Sequence, residues 1–350
     1  MSASRIDLEA PTWIYLSGPD IKMGCWVLAR FSIFVTEPVP GIEAELTVLK
    51  DVDVRIKDRF LDRVDSEDLR NVDAVIAGDS KITRESLKAA DRLKVIGRLG
   101  AGVDSVDVKA CTEMGILVFN APGLNAQSVA EHIMGLMVAV AKKFRTVDIL
   151  VRSGRWAEKA HHIGYELFGK TLGIVGLGNI GSRLAKMAQA FGMAAIAYDP
   201  YIPVEKALSL NVKLVDLEVL LRDSDFISIN APLTEETKGL IGERQLRMMK
   251  RNAILINTAR GGLVDEKALY EALKNNWIAG AGIDVLENEP VTDHPLFKLE
   301  NVILTPHTAS WTVEAFRRVV STVCENILKT LNGGIPENLV NPEVLERTRL

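Results

Sequence analysis

Residues 172–192 read LGIVGLGNIGSRLAKMAQAFG, and no other segment narrows the possible folds as far. The run 172–175 has the makeup of a buried strand. Gly176, Gly178 and Gly181 then form G-x-G-x-x-G, and Leu184, Met187, Ala188 and Phe191 recur at helical spacing until Gly192 closes the helix. Between a strand and a helix each glycine has its own task. The first permits the tight turn, the second lets backbone approach a pyrophosphate, and the third lets helix and strand pack closely. The helix N-terminus offers the phosphates uncapped N–H groups and a positive dipole end. The next apolar run, 194–198, leads into Asp199, about 20 residues on, where a carboxylate accepts hydrogen bonds from the adenosine ribose. An acid there repels a 2′-phosphate, and DPYIP brings no Arg or Lys. The segment therefore predicts an NAD site rather than an NADP site.

The rest of the chain repeats this strand–helix alternation, which predicts doubly wound parallel sheets with helices on both faces. One block has apolar runs at 31–35, 52–56, 74–76, 94–98 and 116–119. A second has them at 172–175, 194–198, 226–229, 253–256, 279–283 and 302–304. Between the blocks, NAQSVAEHIMGLMVAVAKKF reads as one long helix, apolar on more than one face and so buried at an interface. A last amphipathic helix is expected over 312–331, stopped by NGG. Residues 1–30 carry no clear periodicity and are assigned no role.

Bulk properties exclude several classes. The net charge of −4, with no cluster of Lys and Arg, argues against a polyanion-binding protein. Three scattered cysteines, Cys25, Cys111 and Cys324, give neither a CxxC pair nor a metal-ligand spacing. They suit a reducing compartment. No apolar run reaches the ~18 residues that a membrane span needs, and the N-terminus lacks the order of a signal peptide. A cytoplasmic protein is expected.

A dehydrogenase needs more than a nucleotide: a cation to hold a substrate carboxylate, and an acid–base group working near neutral pH. Ligands of such sheets bind at the carboxyl ends of the strands. Three consecutive strand ends supply Arg260 in ILINTARGG, Asp284 and Glu289 in GIDVLENEP, and His307 in VILTPHTAS. Arginine gives a carboxylate two parallel hydrogen bonds and stays charged. A carboxylate beside an imidazole fixes its tautomer and favours its protonated form. A His307–Glu289 pair is thus expected as the acid–base unit. The other histidines have weaker company: His132 reads as a satisfied core residue within a helix, His161 and His162 as loop residues, and His294 as a helix start.

With these residues in place, the chain resembles the D-isomer-specific 2-hydroxyacid dehydrogenases over about residues 31–345. The matching segments, in order, are GRLGAGVDSVD, GLGNIG, NTARGGLVDE, GIDVLENEP, TPHTA and VNPEV. The resemblance implies a flavodoxin-like substrate-binding domain made of 31–120 and 311–350. It implies a Rossmann NAD-binding domain, 121–310, inserted between them, with the site in an interdomain cleft, and a homodimer joined through the 125–144 helix region. It makes Arg260 the carboxylate clamp, His307 the proton donor and Glu289 its partner. Ala101 and Gly102 would offer backbone N–H groups to the carboxylate, and Trp311 a pocket wall or hinge packing. For NAD it implies Gly176, Gly178, Asn179, Ile180, Gly181, Asp199, Ala231, Pro232, Thr237, Thr258, Ala259, Asp284 and His307. No metal is implied. The nearest branches are the phosphoglycerate dehydrogenases and the glyoxylate or hydroxypyruvate reductases. Phosphoglycerate members usually carry an arginine after the strand matching AVIAG, where this chain has Ala77, Gly78 and Asp79, with Lys81 and Arg84 nearby. The change removes a phosphate partner and adds a like charge, so a glyoxylate- or hydroxypyruvate-like 2-oxoacid is expected. The alternatives are D-3-phosphoglycerate dehydrogenase of serine synthesis and, in another class, an NAD-sensing corepressor or scaffold.

Overall fold

The computed structural model describes residues 14–15, 30–39, 46, 49 and 52–348. Most of the extension at 1–30 lies outside these residues. The chain divides into two compact units. One runs to Leu124 and resumes at Val313; the other is Asn125–Thr312. The two changes of unit fall four and two residues beyond the expected boundaries at 120 and 310.

The first unit is built on β1 (Ile14–Tyr15), β2 (Phe31–Val35), β3 (Val52–Ile56), β4 (Ala74–Ala77), β5 (Val95–Arg98) and β6 (Leu117–Phe119). They form one sheet in the order β1-β3-β2-β4-β5-β6. All neighbours pair parallel except β1, which adds antiparallel to the β3 edge. Because both faces are covered, the inner strands are largely apolar and alternate between two cores, whereas β3, towards the edge, carries Asp53 and Arg55. Ile33, Val35, Ile76 and Val95 pack with Val319, Val323 and Ile327 of the helix Val313–Leu331. Phe34, Val75 and Ile96 pack with Leu69, Ile82 and Leu93 on the other face. Phe34 is fully buried, and truncating it to alanine costs about 3–5 kcal/mol.

The second unit holds β7 (Thr171–Val175), β8 (Ala194–Tyr198), β9 (Lys213–Leu214), β10 (Phe226–Ile229), β11 (Ile254–Asn257), β12 (Gly280–Ile283) and β13 (Val302–Leu304). Their order is β13-β12-β11-β10-β7-β8-β9, parallel throughout. In both sheets the chain leaves its first parallel strand to one side and later returns to the other. The strand order therefore reverses between β2 and β4 in the first unit, and between β7 and β10 in the second. Such reversals open a crevice at the carboxyl edge.

The helix expected at 125–144 runs Ala126–Ala141, three residues shorter at its end, and a second helix, Phe144–Arg152, follows it. Lys143 breaks them apart by taking a left-handed backbone conformation, φ 55°. The apolar residues of the first helix, among them Ile133, Met134, Leu136 and Met137, are spent inside the core of their own unit. Several exposed apolar side chains follow it, among them Phe144, Trp156, Ile163, Tyr165 and Phe168.

Candidate active site

The glycine turn after β7 matches the three tasks its spacing predicts. Gly176 lies at φ +94°, and a Cβ there would press on the Asn230 backbone at 3.0 Å. A Cβ on Gly181 would meet the Gly176 carbonyl oxygen at 2.3 Å, so helix and strand are in close contact there. A Cβ on Gly178 would meet nothing within 4 Å, which leaves room for a ligand against the backbone. Gly178 also caps the helix Asn179–Ala190 and contributes no side chain to its first N–H groups. Asp199 stands past β8, its carboxylate accepting from Leu177 N at 2.9 Å and Tyr201 N at 3.0 Å. That holds the acid beside the glycine turn, where a ribose would lie. The arrangement fits NAD. Asn179 and Ile180 begin the helix. Ala231 and Pro232 follow β10, and Thr237 Oγ1 donates to Pro232 O at 2.7 Å, closing that loop.

The catalytic candidates come from the three neighbouring strands β11, β12 and β13, whose parallel registers put their carboxyl ends on one edge. Arg260 ends the turn after β11. Asn257, almost wholly buried, shapes this turn: it donates to Arg260 O at 2.9 Å and accepts from Ala259 N at 3.1 Å. Arg260 Nη1 donates to Ala259 O at 2.7 Å. Thr258 beside it is buried. Gly261 lets this turn lie against the next one, since a Cβ there would meet the Leu286 carbonyl carbon at 2.0 Å. In that second turn Glu289 Oε1 accepts from Leu286 N at 2.6 Å. Its Oε2 lies 2.8 Å from His307 Nδ1.

His307 therefore meets the carboxylate that its sequence position suggested. Both side chains are about one-third exposed, and a pair so placed contributes about 1 kcal/mol or less to folding. Its geometry is better understood as orientation of an imidazole. The backbone adds a second sign. His307 sits at φ 55°, a region otherwise held, among non-glycine described residues, by four asparagines and Lys143. Such strain persists where surrounding structure fixes it, commonly at working sites.

Asp284 does the fixing. Its carboxylate is buried and accepts from Thr305 Oγ1 at 2.5 Å, Thr308 N at 2.9 Å and Ala309 N at 2.9 Å, while its carbonyl accepts His307 N at 2.8 Å. His132 is satisfied, as expected, but only partly buried: its Nε2 lies 3.1 Å from Thr305 Oγ1. Asn257, Thr305 and His132 thus support the site; the first two open the motifs NTARGGLVDE and TPHTA, but the sequence alone assigned none of the three a role there. Trp311 is 38% exposed and donates its backbone N–H to Thr308 O at 2.9 Å. Ala101 and Gly102 lie in the other unit, on the turn after β5. Their N–H groups have no hydrogen-bond partner among the described residues.

Comparison with known proteins agrees with this geometry. Residues 134–309 match the family model described as D-isomer specific 2-hydroxyacid dehydrogenase, NAD binding domain. The chain is 45% identical over 325 residues to a D-3-phosphoglycerate dehydrogenase of Methanocaldococcus jannaschii, covering 91% of this chain but only 61% of that protein. It is 43% identical over 326 residues to a glyoxylate reductase of Korarchaeum cryptofilum, covering 90% of this chain and 97% of that one. Among solved structures, a D-lactate dehydrogenase from Aquifex aeolicus complexed with NAD and lactic acid matches with a TM-score of 0.79 at 30% identity. The match covers 88% of this chain and 98% of that one.

Proposed function

The chain belongs to the D-isomer-specific 2-hydroxyacid dehydrogenase family, and from that premise we propose that it reduces a small unphosphorylated 2-oxoacid, of the glyoxylate or hydroxypyruvate kind, with NADH. NAD, when bound, supplies or accepts the hydride. The protein supplies the rest. Arg260 holds the substrate carboxylate through paired charge-assisted hydrogen bonds and polarises the carbonyl beside it. Ala101 and Gly102, on the turn after β5, present backbone N–H donors of the kind a carboxylate accepts. His307, with Nδ1 committed to Glu289, delivers the proton of Nε2 to the carbonyl oxygen during reduction and takes it back during oxidation. Asp199, the glycine turn, Ala231, Pro232, Thr237, Thr258 and Ala259 hold the dinucleotide, and Asp284 sets the loop that carries His307. Trp311 serves as a wall for the substrate.

The observation that carries this reading is the 2.8 Å His307–Glu289 contact, on a rim of three strand ends that also bears Arg260. The unphosphorylated substrate is favoured because the two cations nearest in sequence to the missing phosphate partner do not stand ready to replace it. Arg84 is bound to Glu113 at 2.5 Å, and Lys81 lies exposed on the surface. The test is loss of NADH absorbance with purified protein and a panel of glyoxylate, hydroxypyruvate, 3-phosphohydroxypyruvate and pyruvate, repeated with NADPH. Turnover of the unphosphorylated acids with NADH supports the reading. Preference for the phosphorylated acid replaces it with the phosphoglycerate reaction. NADH binding without any turnover replaces it with an NAD-sensing role.

The same proposal places the protein in the cytoplasm as a homodimer. Its contact is the exposed apolar segment 144–168, directly after the helix Ala126–Ala141 whose apolar side chains are already buried.

A further inference from the structure

The crevice between β2 and β4, where the strand order of the first unit reverses, is the ligand position of an open parallel sheet. Here it is filled by the protein itself. Glu37 follows β2 and is 5% exposed. Its Oε2 accepts from Asp79 N at 2.8 Å, Ser80 N at 3.2 Å and Ser80 Oγ at 3.3 Å. Consecutive backbone N–H groups turned on one oxygen make an anion-binding concavity, and a side-chain carboxyl takes the place of the anion. Gly78 makes room for it: a Cβ there would lie 1.9 Å from the Glu37 carboxyl carbon. Any side chain at residue 78 is excluded while Glu37 holds its place.

The cation of this edge is committed as well. Arg98 ends β5, with its side chain 9% exposed. Its Nη2 donates to Asp79 Oδ1 at 2.5 Å and its Nη1 to Leu99 O at 3.1 Å. Its Nε is buried without a hydrogen-bond partner, so the guanidinium retains a donor that a ligand oxygen would satisfy. Asp79, 44% exposed, stands between that guanidinium and solvent-borne anions. Asp79 thus bonds this guanidinium, and Glu37 lies within its electrostatic reach. Burial first, and then the charge of Asp79, push the Glu37 carboxyl above its ordinary range, a sign of crowded negative charge.

We propose that Glu37 and Asp79 form a charge filter at this sheet edge: Glu37 sets a negative charge against the N–H groups that would receive a substrate's second anionic group, Asp79 neutralises Arg98, and substrates with a phosphorylated tail are refused. The proposal rests on the reading of the protein as a 2-oxoacid reductase. Charge repulsion without loss of shape is the means of exclusion.

The test compares hydroxypyruvate with 3-phosphohydroxypyruvate in the full-length protein, the wild type against Glu37→Gln, Asp79→Asn and the double variant. Both replacements keep the shape of the side chain and remove its charge. The expected result is that kcat/KM for the phosphorylated acid, relative to the unphosphorylated one, rises at least about tenfold in Asp79→Asn and further in the double variant. An unchanged ratio overturns the filter, and so does a wild type that uses both acids equally well. If Glu37→Gln fails to fold, Asp79→Asn alone decides by the same ratio. If the wild type turns over no 2-oxoacid, the reductase reading has failed by itself, and inorganic phosphate titrated into wild type and double variant decides the filter. Phosphate binding gained only by the double variant upholds it; equal binding or none in either refutes it.

Discussion

The two sheets carry the same kind of crevice and use it in opposite ways. In the second unit the protein's own side chains leave the reversal between β7 and β10 open. Gly178 leaves open space over its Cα, and its helix has no side-chain cap. In the first unit the reversal between β2 and β4 is closed by Glu37, with Gly78 yielding the space. The cations differ in parallel: Arg260 stands on the same rim of strand ends as Glu289 and His307, whereas Arg98 is tied to Asp79. Topology thus fixes where a ligand can sit, and a few side chains decide whether it may.

Substitutions at both crevices test that contrast. Arg260→Ala is expected to have the largest effect, lowering kcat/KM for a 2-oxoacid by roughly 10³-fold through loss of a bidentate carboxylate contact. An unchanged KM and kcat would remove Arg260 from the site. Gly178→Val comes next. The space for its side chain exists in the protein alone, so thermal unfolding stays near that of the wild type. Fluorescence titration should show NADH binding weakened at least about 100-fold, because the side chain takes the place of the pyrophosphate. Gly78→Ala asks the matching question of the filled crevice. The new methyl group displaces Glu37 and costs about 1–3 kcal/mol in urea unfolding; undiminished stability would show that Glu37 is not wedged there. The smallest effect is expected from Glu289→Gln. Without the anion, the protonated imidazole of His307 is less favoured. The alkaline limb of the pH–rate profile for reduction therefore moves down by about one unit or less. A profile that does not move removes Glu289 from the acid–base unit.

Much of this contrast was legible along the chain, and the rest was not for definable reasons. All eleven apolar runs match strands to within a residue, because parallel strands buried on both faces are largely apolar. The edge strand β9, Lys213–Leu214, has two residues and no such run. The break at Lys143 escaped notice because the apolar pattern continues up to it and lysine is no customary left-handed residue. Arg260, Glu289 and His307 were visible because each follows its own strand, and the edge on which strands end is set by the fold class. Glu37 was not. Its partners lie 42 and 43 residues away, and only the pairing of β2 with β4 brings them together. The support of the His307 loop was hidden in the same way, since His132 reaches Thr305 across 173 residues.

The left-handed backbone of His307 has a use at the bench. Asparagine takes that conformation at residues 71, 211, 276 and 338 of this same chain, so His307→Asn meets little backbone penalty. The N–H that bonds Asp284 is kept, and only the acid–base group is lost. Such a protein is expected to unfold at nearly the wild-type temperature while its turnover collapses. It would hold oxoacid and reduced dinucleotide together unreacted, a stalled complex ready for crystallisation.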